Sequence, residues 1–123
     1  PPELRWESVP PGTKSIAVFC EDPDAPFPEP FVHWIVYGVA PSVSALTPAT
    51  LAAARAGKNS NMKSGYAPAA PPPGHGMHHY HFQVFALDTS LRFTGGCGRR
   101  EVIEAMGGHV LAWGETIGTY ERR

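Results

Sequence analysis

Cysteine is nearly absent: the chain has two in 123 residues, Cys20 and Cys97. Two thiols cannot complete a zinc site alone, and no Cys-x-x-Cys pair occurs, so neither a zinc knuckle nor a dithiol redox motif is present. Cys20 closes an apolar run, Ile16-Ala17-Val18-Phe19-Cys20, and reads as a buried core thiol. Cys97 sits among glycines in Gly95-Gly96-Cys97-Gly98. Both are expected to be unpaired thiols of a reducing compartment, which points to the cytoplasm. The chain begins at Pro1 rather than Met, so a periplasmic or secreted precursor stays open.

Excess charge of one sign is also missing. Lys and Arg number 10 against 11 Asp and Glu, for a formal net charge of −1. The nearest thing to a basic track is two short pairs, Arg99-Arg100 and Arg122-Arg123, which read as solvated surface. No nucleic-acid partner is expected. No apolar run approaches the roughly 20 residues a helix needs to cross a bilayer, and there is no signal-peptide pattern. No integral membrane contact is therefore expected. The familiar catalytic signatures are absent too: no Gly-x-Ser-x-Gly elbow, no His-Glu-x-x-His and no P-loop.

Proline and glycine, in contrast, are abundant at 14 and 13 residues. They cluster, and the clusters separate short β-like runs, the pattern of a loop-rich, mostly β domain. Hydrophobic residues make up 42%, enough for one ordinary core in a single domain over residues 1–123.

The first run, Ser15 to Glu21, is apolar on both faces and predicts a central strand packed on both sides. Asp22-Pro23-Asp24-Ala25-Pro26 ends it, because proline cannot donate to a sheet ladder. A second strand is predicted over Phe31 to Val39, with His33, Ile35 and Tyr37 on one face and Trp34 and Val36 on the other. A lower-order stretch follows, with a short helical turn at Leu51 to Arg55 ended by Gly57. Residues 64–77 form a proline-stiffened loop. The third strand, His78 to Leu87, places His78, Tyr80, Phe82 and Val84 on one face and His79, His81, Gln83 and Phe85 on the other. Val102, Ile103, Met106 and Val110 have helical spacing and predict a helix over Arg99 to Ala112, weakened by Gly107-Gly108. A last strand is predicted over Glu115 to Glu121.

The residues that could carry chemistry stand at strand–loop junctions, where a rigid scaffold presents binding groups. His33 follows the Asp22–Pro30 loop, His78 follows the Pro71–Met77 loop, and Asp22 closes another strand. Their convergence admits three readings. One is a metal site of two histidines and a carboxylate. Another is acid–base catalysis with Asp22 orienting a histidine. The third is an anion site in which imidazole N–H groups bind phosphate oxygens, and Asp22 fixes a tautomer and raises the pKa of its partner histidine. Singly, each histidine reads as a structural residue, and Asp22 and Asp24 as turn-capping residues. His79 and His81 read as structural, and His75 as a residue at the pocket rim.

Three ordered motifs resemble the phosphatidylethanolamine-binding protein family: Asp22-Pro23-Asp24-Ala25-Pro26 after an apolar strand, Val32-His33-Trp34-Ile35-Val36, and Pro71-Pro72-Pro73-Gly74-His75-Gly76-Met77-His78-His79-Tyr80-His81-Phe82. The segments Gly108-His109-Val110-Leu111-Ala112 and Ile117-Gly118-Thr119-Tyr120 are similar to its bacterial and archaeal branch, the Raf kinase inhibitor-like proteins. The opening Pro1-Pro2-Glu3-Leu4-Arg5-Trp6 resembles a segment internal to family members, so the family's N-terminal segment is expected to be missing. The resemblance implies a mostly β, sandwich-like, Greek-key fold of two antiparallel sheets with a few short helices. It implies an anion pocket of Asp22, Asp24, His33, Ala70, Pro72, His78 and Tyr80. Pro68 and Ala70 stand where relatives carry glycine, which alters the backbone donors of the rim.

The function implied is non-catalytic binding of a phosphate-like anion: a phosphorylated small molecule, a phospholipid headgroup or a phosphorylated residue. No cofactor and no resident metal are expected. The alternative is a protein-interaction module that inhibits a kinase or a serine protease. A homodimer is the expected assembly.

Overall fold

The computed structural model of the chain describes residues 3–24, 30–68, 74, 76–94 and 96–121, with the side chains of 118–121 left aside. Its strands are β1 (Leu4–Arg5), β2 (Ser15–Asp22), β3 (Phe31–Val39), β4 (Ala45–Leu46), β5 (Arg55–Ala56), β6 (Met77–Leu87) and β7 (Val110–Glu121). Two helices, α1 (Pro48–Ala53) and α2 (Arg99–Met106), complete the described elements.

Every residue of β2 is buried, as a strand with two apolar faces requires. It occupies the centre of a five-stranded antiparallel sheet in the order β5-β3-β2-β6-β7. Ala17 and Phe19 enter one core cluster with Ile35, Tyr37, Leu87, Val102 and Met106. Ile16, Val18 and Cys20 enter a second cluster with Trp34, Val36, Leu46 and Tyr80. Helix α2 covers the first face through Val102 and Met106, the buried residues of its apolar stripe. The second face is covered by a small antiparallel sheet, β1 with β4, and by α1 through Leu51. The chain is thus mostly β, with two antiparallel sheets and a few short helices, as the sequence predicts.

Three local expectations are corrected. The predicted helix over Arg99 to Ala112 stops at Met106. The Gly107 amide caps it by donating to the Glu104 carbonyl at 3.3 Å, and Gly108 then takes φ +78°, a left-handed conformation that glycine adopts without steric cost. From Val110 the chain pairs with β6, from Leu87 opposite Val110 to Met77 opposite Glu121. The last strand therefore starts at Val110 rather than Glu115, because a full-length partner satisfies its backbone groups. Further upstream, α1 begins earlier than the predicted turn: Thr47 and Thr50 form a reciprocal capping box at its start. It ends at Ala54 instead of Gly57, because Arg55–Ala56 pairs with β3.

The third correction concerns His33. Cys20 lies opposite Trp34 but Glu21 lies opposite Val32, so His33 is an extra residue, a β-bulge, on β3. The bulge resets the alternation. Val32 joins Ile35 and Tyr37 in one core cluster. The His33 ring instead lies 5.0 Å from the ring of Tyr80, which belongs to the other cluster with Trp34.

Candidate functional site

The end of β2 and the starts of β3 and β6 meet at one end of the sheet, where Glu21 pairs with His81 and Asp22 with Phe31. This brings together four of the residues singled out in the sequence: Asp22, His33, His78 and Tyr80.

Nδ1 of His78 donates to Oδ2 of Asp22 at 2.5 Å, and both side chains are almost wholly buried. A carboxylate removed from water needs several partners, and Asp22 has a second: Oδ1 accepts the backbone N–H of Asp24 at 2.8 Å. Among the described residues no buried side-chain nitrogen or oxygen lacks a partner.

His33 is fixed by Ala67, in the first part of the 64–77 loop. Its Nδ1 lies 2.7 Å from the carbonyl oxygen of Ala67, and the Ala67 amide donates back to the His33 carbonyl at 2.8 Å. The bulge therefore receives a strap of neighbouring chain, which holds the ring in place. Phe31 and Tyr80 flank it, at centroid distances of 4.7 and 5.0 Å. Burial pushes the pKa of His33 below the ordinary histidine value. The Ala67 carbonyl and the nearby Asp22 charge oppose that shift, and His78 adds to it.

These contacts settle the proton inventory of the rings. A carbonyl or an ionised carboxylate can only accept, so Nδ1 carries a proton in both His33 and His78. A neutral ring in that tautomer has a lone pair at Nε2; a protonated ring has an N–H donor there.

Asp24 stands beside the buried pair, with its carboxylate on His79. Its carboxylate turns to His79, accepting from the backbone N–H at 2.8 Å and from Nδ1 at 2.6 Å, and both side chains are substantially exposed. The His79 bonds hold the Asp24 carboxyl below the usual carboxylate range. Asp24 meets the buried cluster through its amide, which donates to Asp22, and its carboxylate is also close enough to feel the charge of His78. His79 thus has a defined partner, and His81 likewise lies 3.2 Å from Glu115 on β7. Ala70, Pro72 and His75 lie outside the described residues.

Sequence reasoning missed Ala67 as the partner of His33 and His79 as the partner of Asp24. No signal marks Ala67, since it acts through its backbone. For His79 a signal exists: Asp22 and Asp24 stand two apart in one segment, and His78 and His79 stand side by side in another. Among the described residues, no three His, Cys, Asp or Glu side chains are grouped so as to hold a metal ion.

The sheet thus closes a buried carboxylate–imidazole pair and a second fixed imidazole at one end. Comparison with known proteins gives the family. The phosphatidylethanolamine-binding protein model matches residues 1–121, and the chain belongs to that family. It is similar to a UPF0098 protein of Pyrococcus horikoshii, with 38% identity over 99% of this chain and 65% of that protein. The chain thus spans just under two thirds of that relative, and 72% of a UPF0098 protein of Pyrococcus abyssi that is also 38% identical over 99% of this chain. Among solved structures it is similar to a homologue of phosphatidylethanolamine-binding protein from Chlamydia trachomatis, with a TM-score of 0.90 and 37% identity over 99% of this chain and 81% of the other. E. coli YbcL, described as a member of the mammalian family, gives a TM-score of 0.89 and 33% identity over 99% of this chain and 80% of its own. Family membership supports a ligand-binding protein. No helix among the described residues is long and apolar enough to cross a membrane.

Proposed function

We propose that the Asp22–His33–His78–Tyr80 end of the sheet binds a small oxyanion, the phosphate group of a phosphorylated molecule, and that the protein acts as a binder rather than a catalyst. The observation that carries this reading is the commitment of both Nδ1 protons to protein acceptors, Asp22 and the Ala67 carbonyl. With Nδ1 so held, the proton that either ring can gain or lose is the one at Nε2.

The charge balance decides when an anion is welcome. With both rings neutral, Asp22 leaves the cluster negative and repels phosphate. With both rings protonated, the cluster is positive and offers imidazolium donors, whose hydrogen bonds to phosphate oxygens are roughly twice as strong as neutral ones. A phosphate monoanion that gives its proton to one Nε2 protonates that ring alone. Relative to the dianion and neutral rings that prevail at high pH, either complex holds extra protons, so affinity falls as pH rises through that range. Tyr80 and Phe31 pack around the His33 ring and limit its motion.

The test is an NMR titration with inorganic phosphate and O-phosphoethanolamine between pH 5.5 and 8. It follows the imidazole protons of His33 and His78 in the wild-type chain and in His78→Ala. Saturable shifts at both rings, weaker at high pH and lost in the variant, are expected. Unmoved imidazole signals at millimolar ligand would overturn the reading.

A further inference from the structure

The Arg99-Arg100 pair, which reads as solvated surface in the sequence, borders a cleft in the fold. Glu21 and Asp22 are consecutive on β2 and point to opposite sides of the sheet. Asp22 turns to His78, while Glu21 accepts from Nε of Arg99 at 2.6 Å on the α2 side. On that side lies an open cleft of about 600 Å³ between the start of β3, the 58–62 turn and the start of α2.

Cations dominate its polar lining. Lys58, Arg99 and Arg100 border the cleft, against one lining carboxylate, Glu101. The bond to Glu21 occupies only one of the five N–H donors of Arg99. Neither Lys58 nor Arg100 makes an ion pair among the described residues.

Lys58 lies beside the loop that leads into α2. Its amide donates to the Cys97 carbonyl at 2.7 Å. Its side chain passes over Gly96, where an added Cβ would stand 2.5 Å from Cε and 3.1 Å from Nζ, so a side chain at that position would push the ammonium aside. Pro30, Val32 and Met62 supply an apolar wall beside these charges.

We propose that this cleft is a second binding site, distinct from the histidine cluster, for an organic phosphate. The phosphoryl group lies between Lys58 and Arg100, and the apolar part of the ligand lies along Pro30, Val32 and Met62.

The experiment is a titration with phenyl phosphate at pH 7.5, where the ester is mostly a dianion. Backbone amide signals of Lys58, Ser60, Gly98 and Arg100 report the cleft, and the His78 imidazole reports the other site. The wild type is compared with Lys58→Gln/Arg100→Gln and with Arg92→Gln, which removes an exposed cation outside both sites. A further variant, Lys58→Arg/Arg100→Lys, keeps the charge. Saturable shifts of the cleft amides are expected, with binding roughly tenfold weaker in the double Gln variant. Binding within about twofold of wild type is expected in Arg92→Gln and in the charge-keeping variant. Inorganic phosphate should bind more weakly than phenyl phosphate, because it lacks the apolar part. Unshifted cleft amides, or equal weakening in Arg92→Gln and in the double Gln variant, would overturn the proposal. Because His78 is read separately, failure of the cleft leaves the histidine site standing, and the reverse holds as well.

Discussion

Asp22 and His78 are 56 residues apart in the chain, yet Oδ2 of one accepts the Nδ1 proton of the other at 2.5 Å, in a place from which water is almost excluded. Such a pair costs desolvation on both sides, and its attraction offsets that cost only while both members are present.

Removing both members should therefore cost less than the sum of the two single removals. Asp22→Ala is expected to destabilise the fold by about 3 kcal/mol, since it leaves His78 buried with a donor and no carboxylate. In a double-mutant cycle with His78→Ala, the two losses should fall short of additivity by roughly 1–3 kcal/mol. Urea unfolding of the four proteins at pH 7 measures this. Additivity within about 0.5 kcal/mol would mean that the pair is not coupled in the folded state.

His33 should give the stability a pH dependence of known sign. Burial lowers its folded pKa below the ordinary value of 6.5. In the unfolded chain the ring gains a proton as pH falls through that value, while the folded ring does not. The unfolded state then binds more protons, so stability declines as pH drops below the unfolded pKa, until the folded pKa is reached. His33→Asn keeps a side-chain N–H near the position of Nδ1 and removes the titration. Its unfolding free energy should change less between pH 7.5 and 5.5 than that of the wild type. Parallel profiles would show that His33 is not the group responsible.

Cys20 should be chemically silent in the folded protein. Its thiol is pushed up to about 12, first by burial and then by the negative charges of Glu21 and Asp22. The thiolate is the reactive form, and at pH 8 only about one thiol in 10⁴ would be ionised. Cys97 is also buried. A thiol reagent at pH 8 should label neither cysteine in native buffer and both in strong denaturant. Rapid native labelling of Cys20 would contradict its place in the core.

Much of the fold was legible because its signals are local. The two apolar faces of the run from Ser15 to Glu21 require burial on both sides, and the prolines that follow require the strand to end. The residues of the buried cluster could be named for the same reason, since Asp22, His33 and His78 all stand where a strand meets a loop. What stayed hidden depends on pairing. Val110 and Leu111 fit a helix by spacing, and only the presence of β6 alongside makes them strand. The face on which His33 lies cannot be read from alternation, because a bulge is a mismatch between two strands and neither strand shows it alone.

The amino-acid sequence by itself determined which segments are apolar on both faces, where glycine and proline stop them, and which few polar residues stand at the stops. These follow from backbone sterics and side-chain polarity, which act within a few residues. The tertiary structure alone decided who partners whom: His78 with Asp22, His33 with the Ala67 carbonyl, Asp24 with His79, and Arg99 with Glu21. Strand register decides these partnerships, and register is set by the packing of whole faces, to which each residue contributes only a part.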